Sequence, residues 1–262
     1  MNGGLKSAAI AATRKLPARI RKAVVNLGFQ VDREHFDRMA HDHSFAPNMR
    51  WGLEFARGRG VMPRGIVDIG AFQGEWSLMA HDVWPEARIV MIEANEDKKA
   101  RLAQVATTVG GELKQALLGA STGSEVTFHV MESGSSVFEE HSPVPRDQRT
   151  LQTHTLDSLL AGFEHPDFIK IDVQGYELEV LRGAAATMAR VKAILIEIAF
   201  LEINEGAPLA HQVMGFMAEN GFVAFDILEL HRRPLDRAMN QIDILFLRAD
   251  SPIRADKRHW AQ

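Results

Sequence analysis

Short apolar runs alternate with amphipathic stretches along the chain after residue 60. Apolar runs rich in Ile and Val are typical of buried strands, whereas apolar residues three and four positions apart are typical of helices. The alternation predicts a doubly wound α/β domain around a largely parallel sheet. The core strands predicted in this way are Ile66–Ile69, Arg88–Glu93, Leu113–Leu118, Phe168–Val173 and Ala193–Ile198, and the helices include Asp97–Val109, Leu178–Arg190 and His211–Glu219.

Further strands and two flanking segments complete the predicted organisation. Glu125–Met131 alternates apolar and polar side chains like an edge strand, and Phe222–Asp226 and Asp243–Leu247 are predicted as the last strands. The predicted divisions are a helical N-terminal extension over residues 1–60, the α/β domain over residues 61–250 and a C-terminal tail over residues 251–262.

The stretch from Arg64 to Trp76 joins the first strand to the first helix through a turn that contains Gly70 and Gly74. A strand, a glycine turn and a helix often form a nucleotide cradle, although any α/β protein contains such units. Here the glycine spacing is G-x-x-x-G rather than G-x-G-x-x-G, and Asp68 puts a carboxylate where a pyrophosphate would lie. Because a carboxylate repels phosphate and attracts a cation, the turn suits S-adenosylmethionine better than a dinucleotide.

Acidic residues end several of the predicted core strands. Glu93 ends the second strand, where nucleotide-binding sheets place an acid that accepts hydrogen bonds from the ribose hydroxyls. Glu93 also suits the start of the following helix, where a negative charge is favourable. Asp172 and Glu197 end the fourth and fifth strands. Because parallel strands bind ligands beyond their carboxyl ends, these acids are predicted to converge on one rim.

Composition narrows the classes of function. The chain of 262 residues has a formal net charge of −4, so no overall basic field calls for a nucleic-acid partner. It has no cysteine, which excludes disulfides, thiolate metal sites and thiol catalysis and fits a cytoplasmic location. No apolar run approaches the length of about 18 residues that a membrane-spanning helix needs.

The first 27 residues differ from the rest, because all their charged side chains are basic. This pattern fits a helix that packs on the domain or on a second copy of the chain, and it also fits peripheral contact with an anionic membrane. Phe36–Arg57 is predicted to be largely helical with a break before Pro47. His41 and His43 within it are two positions apart and face different sides of a helix, so they make a poor metal chelate.

Taken together, the motifs resemble those of the FkbM-type S-adenosylmethionine-dependent methyltransferases, in family order between Ile66 and Arg248. The matching pieces are VDIGAFQGEWS at Val67–Ser77, IEAN at Ile92–Asn95, SGSS at Ser133–Ser136, TLDSLL at Thr155–Leu160, FIKIDVQGYELEVLRGA at Phe168–Ala184, IEI at Ile196–Ile198 and QIDILFLR at Gln241–Arg248. The resemblance implies a class I methyltransferase (Rossmann-like) fold, with a seven-stranded, mostly parallel sheet, an antiparallel last strand and helices on both faces. It also implies methyl transfer to a hydroxyl, commonly on a sugar or a secondary metabolite, with S-adenosylhomocysteine as product.

The resemblance also assigns a cofactor site residue by residue. Asp68, Gly70 and Gly74 fall on the family's methionine-binding loop, and Glu93 falls on its ribose acid. The predicted cofactor-binding residues are Asp68, Gly70, Ala71, Phe72, Gly74, Trp76, Glu93, Ala94, Asn95, Leu118 and Ser136. This chain departs from the family at Phe72, where Asn is usual, and at Gln174, where Glu is usual. The first change alters the contact available to the methionine carboxylate or places Phe72 beside the ligand, and the second removes one charge from the rim.

Methyl transfer to a hydroxyl needs an oxygen in line with the methyl group and a group that accepts the hydroxyl proton. Asp172 is the first candidate for this base, Glu197 the second and His154 the third. Asp172 has the alternative role of contacting the cofactor amine or a helix N-terminus, and Glu197 that of pairing with Lys170 or Arg182. Asp172 and Glu197 would offer Mg²⁺ two oxygen ligands without a clear third, so an Mg²⁺ site there is the less favoured alternative.

Two other functions stay open at this stage. One is a non-catalytic interaction module that keeps the fold, and the other is a nicotinamide-dependent oxidoreductase, which Asp68 and the missing G-x-G-x-x-G argue against. The expected acceptor is a small molecule or a glycan, and a homo-oligomer is an open alternative to a monomer. The loops predicted to contact the acceptor are Ser133–Arg149 and Leu201–Pro208, whose sequences do not specify its chemistry.

Overall fold

The computed structural model describes residues 47–131, 134–139 and 146–259. The predictions for the basic segment, for His41 and His43 and for Ser133 therefore lie outside the described residues. Beyond Pro47, the described residues belong to one compact unit, Asn48–Gln262. Among the described residues, no helix has the length and apolar character needed to cross a bilayer.

Helices and strands alternate through most of this unit. The helices are α1 Met49–Gly58, α2 Glu75–Val83, α3 Lys99–Val109, α4 Leu156–Leu159, α5 Glu177–Arg182, α6 Ala185–Met188 and α7 Ala210–Glu219, with 3₁₀ turns at Glu96–Lys98 and Pro252–Arg254. The strands are β1 Gly65–Ile69, β2 Arg88–Glu93, β3 Glu112–Gln115, β4 Leu117–Leu118, β5 Glu125–Val130, β6 Asp147–His154, β7 Phe168–Ile171, β8 Ala193–Ala199, β9 Phe222–Arg232 and β10 Met239–Arg248.

The main sheet has seven strands in the order β3-β2-β1-β7-β8-β10-β9. The pairs from β3 to β8 are parallel, whereas β10 runs antiparallel to both β8 and β9. This topology confirms the predicted class I methyltransferase fold. The strands β4, β6 and β5 form a separate three-stranded sheet beside it.

Apolar side chains cover both faces of the main sheet, which explains why its strands read as continuous apolar runs. One face packs against α4 to α7 through residues such as Ile169, Ile196 and Val213. The other face packs against α1 to α3 through residues such as Leu53 and Leu102. The helices therefore lie on both sides of the sheet, as the sequence predicts.

Helix α1 packs against β9, because a side chain at Gly52 would overlap Leu228 and its absence lets the helix approach the sheet. Leu53 and Ala56 on the same helix are buried. Helix α1 thus lies within the compact unit, whereas the sequence-based division placed it in the N-terminal extension.

Several predicted elements break or lengthen in the structure. The third predicted strand divides at Ala116, so that β3 joins the main sheet and β4 pairs with β6. The helix predicted over Leu178–Arg190 divides into α5 and α6, because Gly183 packs directly on the backbone of Gly119. Strands β9 and β10 extend beyond their predicted ends and pair through register shifts, which interrupt the two-residue alternation of side chains.

Candidate active site

A cavity of about 260 Å³ opens at the carboxyl ends of β1, β2 and β7. Its lining brings together many of the residues that the sequence singled out, from segments far apart in the chain. Those that line it are Gly70, Phe72, Glu93, Ala94, Asn95, Leu118, Asp172 and Gln174. Those that do not are Asp68, Ala71, Gly74, Trp76, Ser136, His154 and Glu197.

The glycines of the β1–α2 turn have separate structural roles. Gly70 has φ +74° and lies so close to the carbonyl group of Asp172 that any Cβ would overlap it. Gly74 has φ +83°, and a Cβ there would lie 2.9 Å from the Val105 side chain of α3. Gly70 therefore lets the turn approach the neighbouring strand end, and Gly74 lets α2 begin against α3.

Asp68 lies beneath this turn rather than in the cavity lining. Its carboxylate is fully buried, accepts a hydrogen bond of 2.7 Å from the Ser77 hydroxyl and lies 3.7 Å from the Lys170 ammonium. Burial raises the pKa of Asp68, and the Lys170 charge and the Ser77 hydrogen bond oppose this rise. In this arrangement, Asp68 anchors α2 and Lys170 below the cavity floor.

Glu93 lines the cavity at the end of β2. Its two carboxylate oxygens accept backbone hydrogen bonds from Phe72 and Asn95, each of 2.8 Å. Burial raises the pKa of Glu93, whereas these two hydrogen bonds lower it. Each carboxylate oxygen can accept a second hydrogen bond, so the group retains acceptor capacity toward a ligand diol. Glu93 also accepts from the Asn95 backbone, just before the Glu96–Lys98 turn. Its predicted roles as a ribose acceptor and as an acid at the start of the next helix are therefore compatible.

Phe72 lines the cavity at the position where the FkbM-type methyltransferases that the chain resembles usually have Asn. It has φ +51°, a left-handed conformation that is uncommon for a bulky residue. The Lys98 ammonium lies 4.4 Å from the centre of its ring. Phe72 therefore offers the cavity an aromatic surface with a positive charge on it, rather than a side-chain amide.

Asp172, the first candidate base, lies on the cavity lining next to β7. Its carboxylate accepts hydrogen bonds from Lys170 Nζ at 3.1 Å and from Gln174 Nε2 at 2.8 Å. Burial alone would raise the pKa of Asp172, but the Lys170 ammonium and these hydrogen bonds lower it below its ordinary value. Asp172 is therefore an ionised carboxylate held at two points.

Glu197, the second candidate base, is buried behind Asp172. Its Oε2 accepts hydrogen bonds from Gln174 Nε2 and Gln241 Nε2, both of 2.7 Å. Burial and the neighbouring carboxylates of Asp172 and Asp243 raise the pKa of Glu197 well above its ordinary value. Glu197 therefore contacts Asp172, and the Gln174 amide nitrogen donates to both carboxylates.

The alternative partners predicted for Glu197 are wrong. Lys170 contacts Asp68 and Asp172 instead, and Arg182 pairs with Glu179. The Gln174 amide nitrogen donates to the carboxylates of Asp172 and Glu197, the two residues considered for Mg²⁺.

Ser136 supports the cavity from outside its lining. Its hydroxyl donates to the Gln174 carbonyl at 2.8 Å and accepts from the Phe138 backbone at 3.0 Å. Its neighbours Ser135 and Val137 line the cavity. Ser136 therefore ties the segment that contains Ser135 and Val137 to the β7–α5 turn.

Trp76 is partly buried and packs against the core, where its ring stacks on Phe168 with centroids 6.0 Å apart. His154, the third candidate base, lies at the end of β6, where its carbonyl group accepts from the Gly119 backbone. Neither residue lines the cavity, so the site concentrates on Asp172 and its partners.

Gln241, His231 and Asp243 were not predicted from the sequence, and Lys170 was given the wrong partner. His231 Nε2 lies 2.8 Å from Asp243 Oδ2 and 3.7 Å from Glu197 Oε1. Lys170 and Asp243 had a signal in the sequence, because each is a lone charge within an apolar strand. Such a charge is buried only with a partner, so it predicts a polar network even where the partner is unknown.

Comparison with known proteins identifies the chain by family. The model described as "Methyltransferase FkbM domain" matches residues 68–224, which include the β1–α2 turn, Glu93, Asp172 and Glu197. The hexuronic acid methyltransferase AglP of Haloferax volcanii is 28% identical over 116 residues, which cover 43% of this chain and 48% of AglP. The chain thus matches about half the length of this curated relative.

Solved structures with a similar fold include methyltransferases. A methyltransferase FkbM from Methylobacillus flagellatus has a TM-score of 0.47 at 16% identity, covering 70% of this chain and 44% of that one. The 1,6-didemethyltoxoflavin-N1-methyltransferase of Burkholderia thailandensis has a TM-score of 0.45 at 13% identity, covering 90% of this chain and 92% of that one. These similarities concern the fold alone.

Proposed function

The chain belongs to the FkbM methyltransferase family, and from this premise we propose that it transfers the methyl group of S-adenosylmethionine to a hydroxyl of a sugar or glycan. The observation that carries the proposal is that Glu93 and Asp172 line one cavity, with the Gly70 turn between them. A carboxylate suited to a ribose diol and an ionised carboxylate therefore face the same enclosed space.

The residues of the cavity fit the methyl donor. Glu93 retains acceptor capacity for the ribose hydroxyls, and Ile92, Ala116 and Leu117 offer an apolar surface beside it for a purine ring. When bound, S-adenosylmethionine supplies an activated methyl group. Gly70 keeps the turn between these two regions free of a side chain.

Asp172 receives the proton of the acceptor hydroxyl in this proposal. Lys170 and Gln174 hold the carboxylate in place and keep it ionised. Although its lowered pKa makes Asp172 a weak base toward a free hydroxyl, the oxygen becomes strongly acidic as it is methylated. An ionised carboxylate within hydrogen-bond reach is then sufficient to accept the proton.

The similarity to the hexuronic acid methyltransferase AglP supports a sugar as the acceptor class. Binding of S-adenosylhomocysteine and of NAD, measured by calorimetry, separates a methyl-donor site from a nicotinamide site. Transfer of labelled methyl from S-adenosylmethionine to a panel of sugars, uronic acids and lipid-linked glycans then tests the reaction. We expect binding of S-adenosylhomocysteine, no binding of NAD, and labelling of a glycan hydroxyl; S-adenosylhomocysteine binding without labelling of any acceptor would favour a non-catalytic module.

A further inference from the structure

Three adjacent strands, β8, β10 and β9, bring Glu197, His231 and Asp243 together. These strands form the edge of the main sheet that is farther from the β1–α2 turn. Glu197 on β8 is directly opposite Asp243 on β10, and His231 on β9 is opposite Gln241, one step along the same strand face. His231 Nε2 lies 2.8 Å from Asp243 Oδ2 and 3.7 Å from Glu197 Oε1, and one potential ligand atom from each residue lies within 4.8 Å of the others.

Negative charge around this group exceeds the positive charge available to it. Glu197 and Asp243 are buried, and the Glu229 carboxylate is paired opposite Asp243 in the register. His231 contacts Glu197 and Asp243 directly, whereas the Lys170 ammonium contacts Asp172 and Asp68 and acts on Glu197 and Asp243 from a longer distance. Buried carboxylates need a cation, a proton or hydrogen-bond donors, and one imidazole compensates two of them only in part.

We propose that Glu197, His231 and Asp243 bind one divalent first-row transition-metal ion, such as Mn²⁺ or Zn²⁺. Ligand atoms at about 2.0–2.2 Å from such an ion lie roughly 3–3.5 Å from one another. The two distances from His231 Nε2, 2.8 Å and 3.7 Å, bracket that value, and the third pair of atoms lies within 4.8 Å. An imidazole nitrogen with two carboxylate oxygens favours these ions over Mg²⁺ and Ca²⁺, which prefer oxygen ligands alone.

The surroundings of the three residues suit a bound ion. Glu197 Oε2 already accepts from Gln174 and Gln241, which orients the carboxylate and directs Oε1 toward His231. Partners of this kind fix the orientation of metal ligands. The His231 side chain is 35% exposed, which gives an ion and its water ligands a route from solvent.

An ion at this position would act on the candidate base through two contacts. The ion would hold Glu197 through Oε1. Glu197 Oε2 accepts a hydrogen bond from the Gln174 amide nitrogen, and the same nitrogen donates to Asp172 Oδ1. The proposed ion is therefore a positioning element for Asp172, separate from the cavity that holds the methyl donor. Its binding is independent of the proposed function and is measured without donor or acceptor.

Calorimetric titration of the untagged, EDTA-dialysed full chain with MnCl₂, and separately with ZnCl₂, tests the proposal. We expect one ion per chain and a rise in melting temperature. His231→Gln keeps a polar side chain of similar size but removes the imidazole ligand, and Asp243→Asn removes one carboxylate. Each should weaken binding at least tenfold. The exposed residue His211 on α7 gives the matched control, because His211→Ala should leave affinity unchanged.

Pulsed electron paramagnetic resonance on the Mn²⁺-loaded chain reads the ligand set directly. We expect coupling to the nitrogen of one imidazole in the wild type and its loss in His231→Gln. Full affinity in folded His231→Gln and Asp243→Asn variants would overturn the proposal. Loss of the ion in a His41→Ala/His43→Ala variant, or no binding at all, would also overturn it.

Discussion

Glu93 is the residue whose role is most sharply defined by its contacts. Both oxygens already organise the backbone at Phe72 and Asn95, and Glu93 lines the cavity that we assign to the donor. Hydrogen bonds to a charged group contribute roughly 1.5–3 kcal/mol each. Glu93→Ala should therefore weaken S-adenosylhomocysteine at least tenfold, measured by calorimetry.

Glu93→Gln is the matched comparison, because it keeps one acceptor oxygen and most of the side-chain volume. We expect its loss of affinity to be smaller than that of Glu93→Ala. Unchanged affinity in a folded Glu93→Ala variant would show that Glu93 serves only the backbone of the turn.

Asp172 is predicted to affect turnover more than cofactor affinity. Asp172→Asn keeps the size and an acceptor oxygen but removes the charge, and general base catalysis contributes about 10²–10⁴-fold. We expect kcat to fall in that range, while the affinity for S-adenosylhomocysteine changes much less. Asp250→Asn, at an exposed position, is the control for loss of a carboxylate alone.

Together, kcat and the cofactor affinity also distinguish the base role of Asp172 from its alternative role. If Asp172 holds the cofactor ammonium instead, affinity for the cofactor should fall and kcat at saturation should survive. Full activity in Asp172→Asn would contradict the base assignment.

Phe72 and Gln174 show what residue-by-residue comparison with a family does not reveal. Both stand where the family usually has another residue, both line the cavity, and both adopt left-handed backbone conformations, with φ +51° and +54°. Such conformations cost energy in non-glycine residues and cluster at functional sites. A sequence reveals left-handed backbone through glycine, so Gly70, Gly74 and Gly175 mark these turns, whereas the left-handed conformations of Phe72 and Gln174 have no sequence signal.

The β1–α2 turn is the element on which the cavity depends. Gly70→Ala should lower the melting temperature and abolish cofactor binding, because the added Cβ overlaps the Asp172 carbonyl and φ is +74°. Gly123→Ala is the matched control, since Gly123 has φ +87° but no other atom lies within 4 Å of the position that its Cβ would take. It should show only the backbone strain of a left-handed residue, about 1–2 kcal/mol.

Calorimetric melting and titration with S-adenosylhomocysteine measure both variants. Equal losses in the two would mean that backbone conformation alone matters and that close approach at Gly70 does not.

Elements were predicted well wherever one apolar pattern matched one structural unit. The strands β1, β2, β7 and β8 fit their apolar runs, because both faces of the sheet are covered. The prediction failed where a run serves two units, as at Ala116 between β3 and β4, or where tertiary contact ends a helix, as at Gly183. Such breaks depend on distant residues, and local periodicity contains no information about them.

At the scale of the whole molecule, the sequence predicts the acids at the carboxyl ends of the parallel strands. It does not predict the polar group of Glu197, His231 and Asp243. The parallel strands bring Glu93 and Asp172 to the cavity lining, whereas Asp68 is buried beneath it. The contact of Glu197 with His231 and Asp243 depends instead on the register of β9 and β10, which shifts along the pair. That register follows from packing across the sheet, so only the structure reveals this group.

The basic segment over residues 1–27 is also a whole-molecule question. From its sequence, we expect that deleting it lowers the melting temperature or changes the oligomeric state measured by light scattering. Loss of binding to anionic vesicles at unchanged stability and oligomeric state would instead identify membrane contact as its role.

Stability should fall as pH rises toward neutral because of Glu177. Its carboxyl is 3% exposed, and burial raises its pKa from 4.5 to about 7, against the hydrogen bond that it accepts from the Gly175 backbone. The folded chain therefore binds this proton more tightly than the unfolded chain. The resulting stability is fully present below about pH 4.5 and is lost as pH rises to about 7.

Glu177→Gln removes this titration and keeps an oxygen that can accept from Gly175. Relative to the wild type, the variant should gain stability between about pH 5 and about pH 8, by as much as roughly 3 kcal/mol. Any cost of burying the amide is the same at both pH values and cancels in this comparison. Urea unfolding of both proteins at the two pH values measures the gain. A constant difference in free energy of unfolding would mean that Glu177 is ionised in the folded chain throughout, and that Gly175 and the start of α5 compensate its charge.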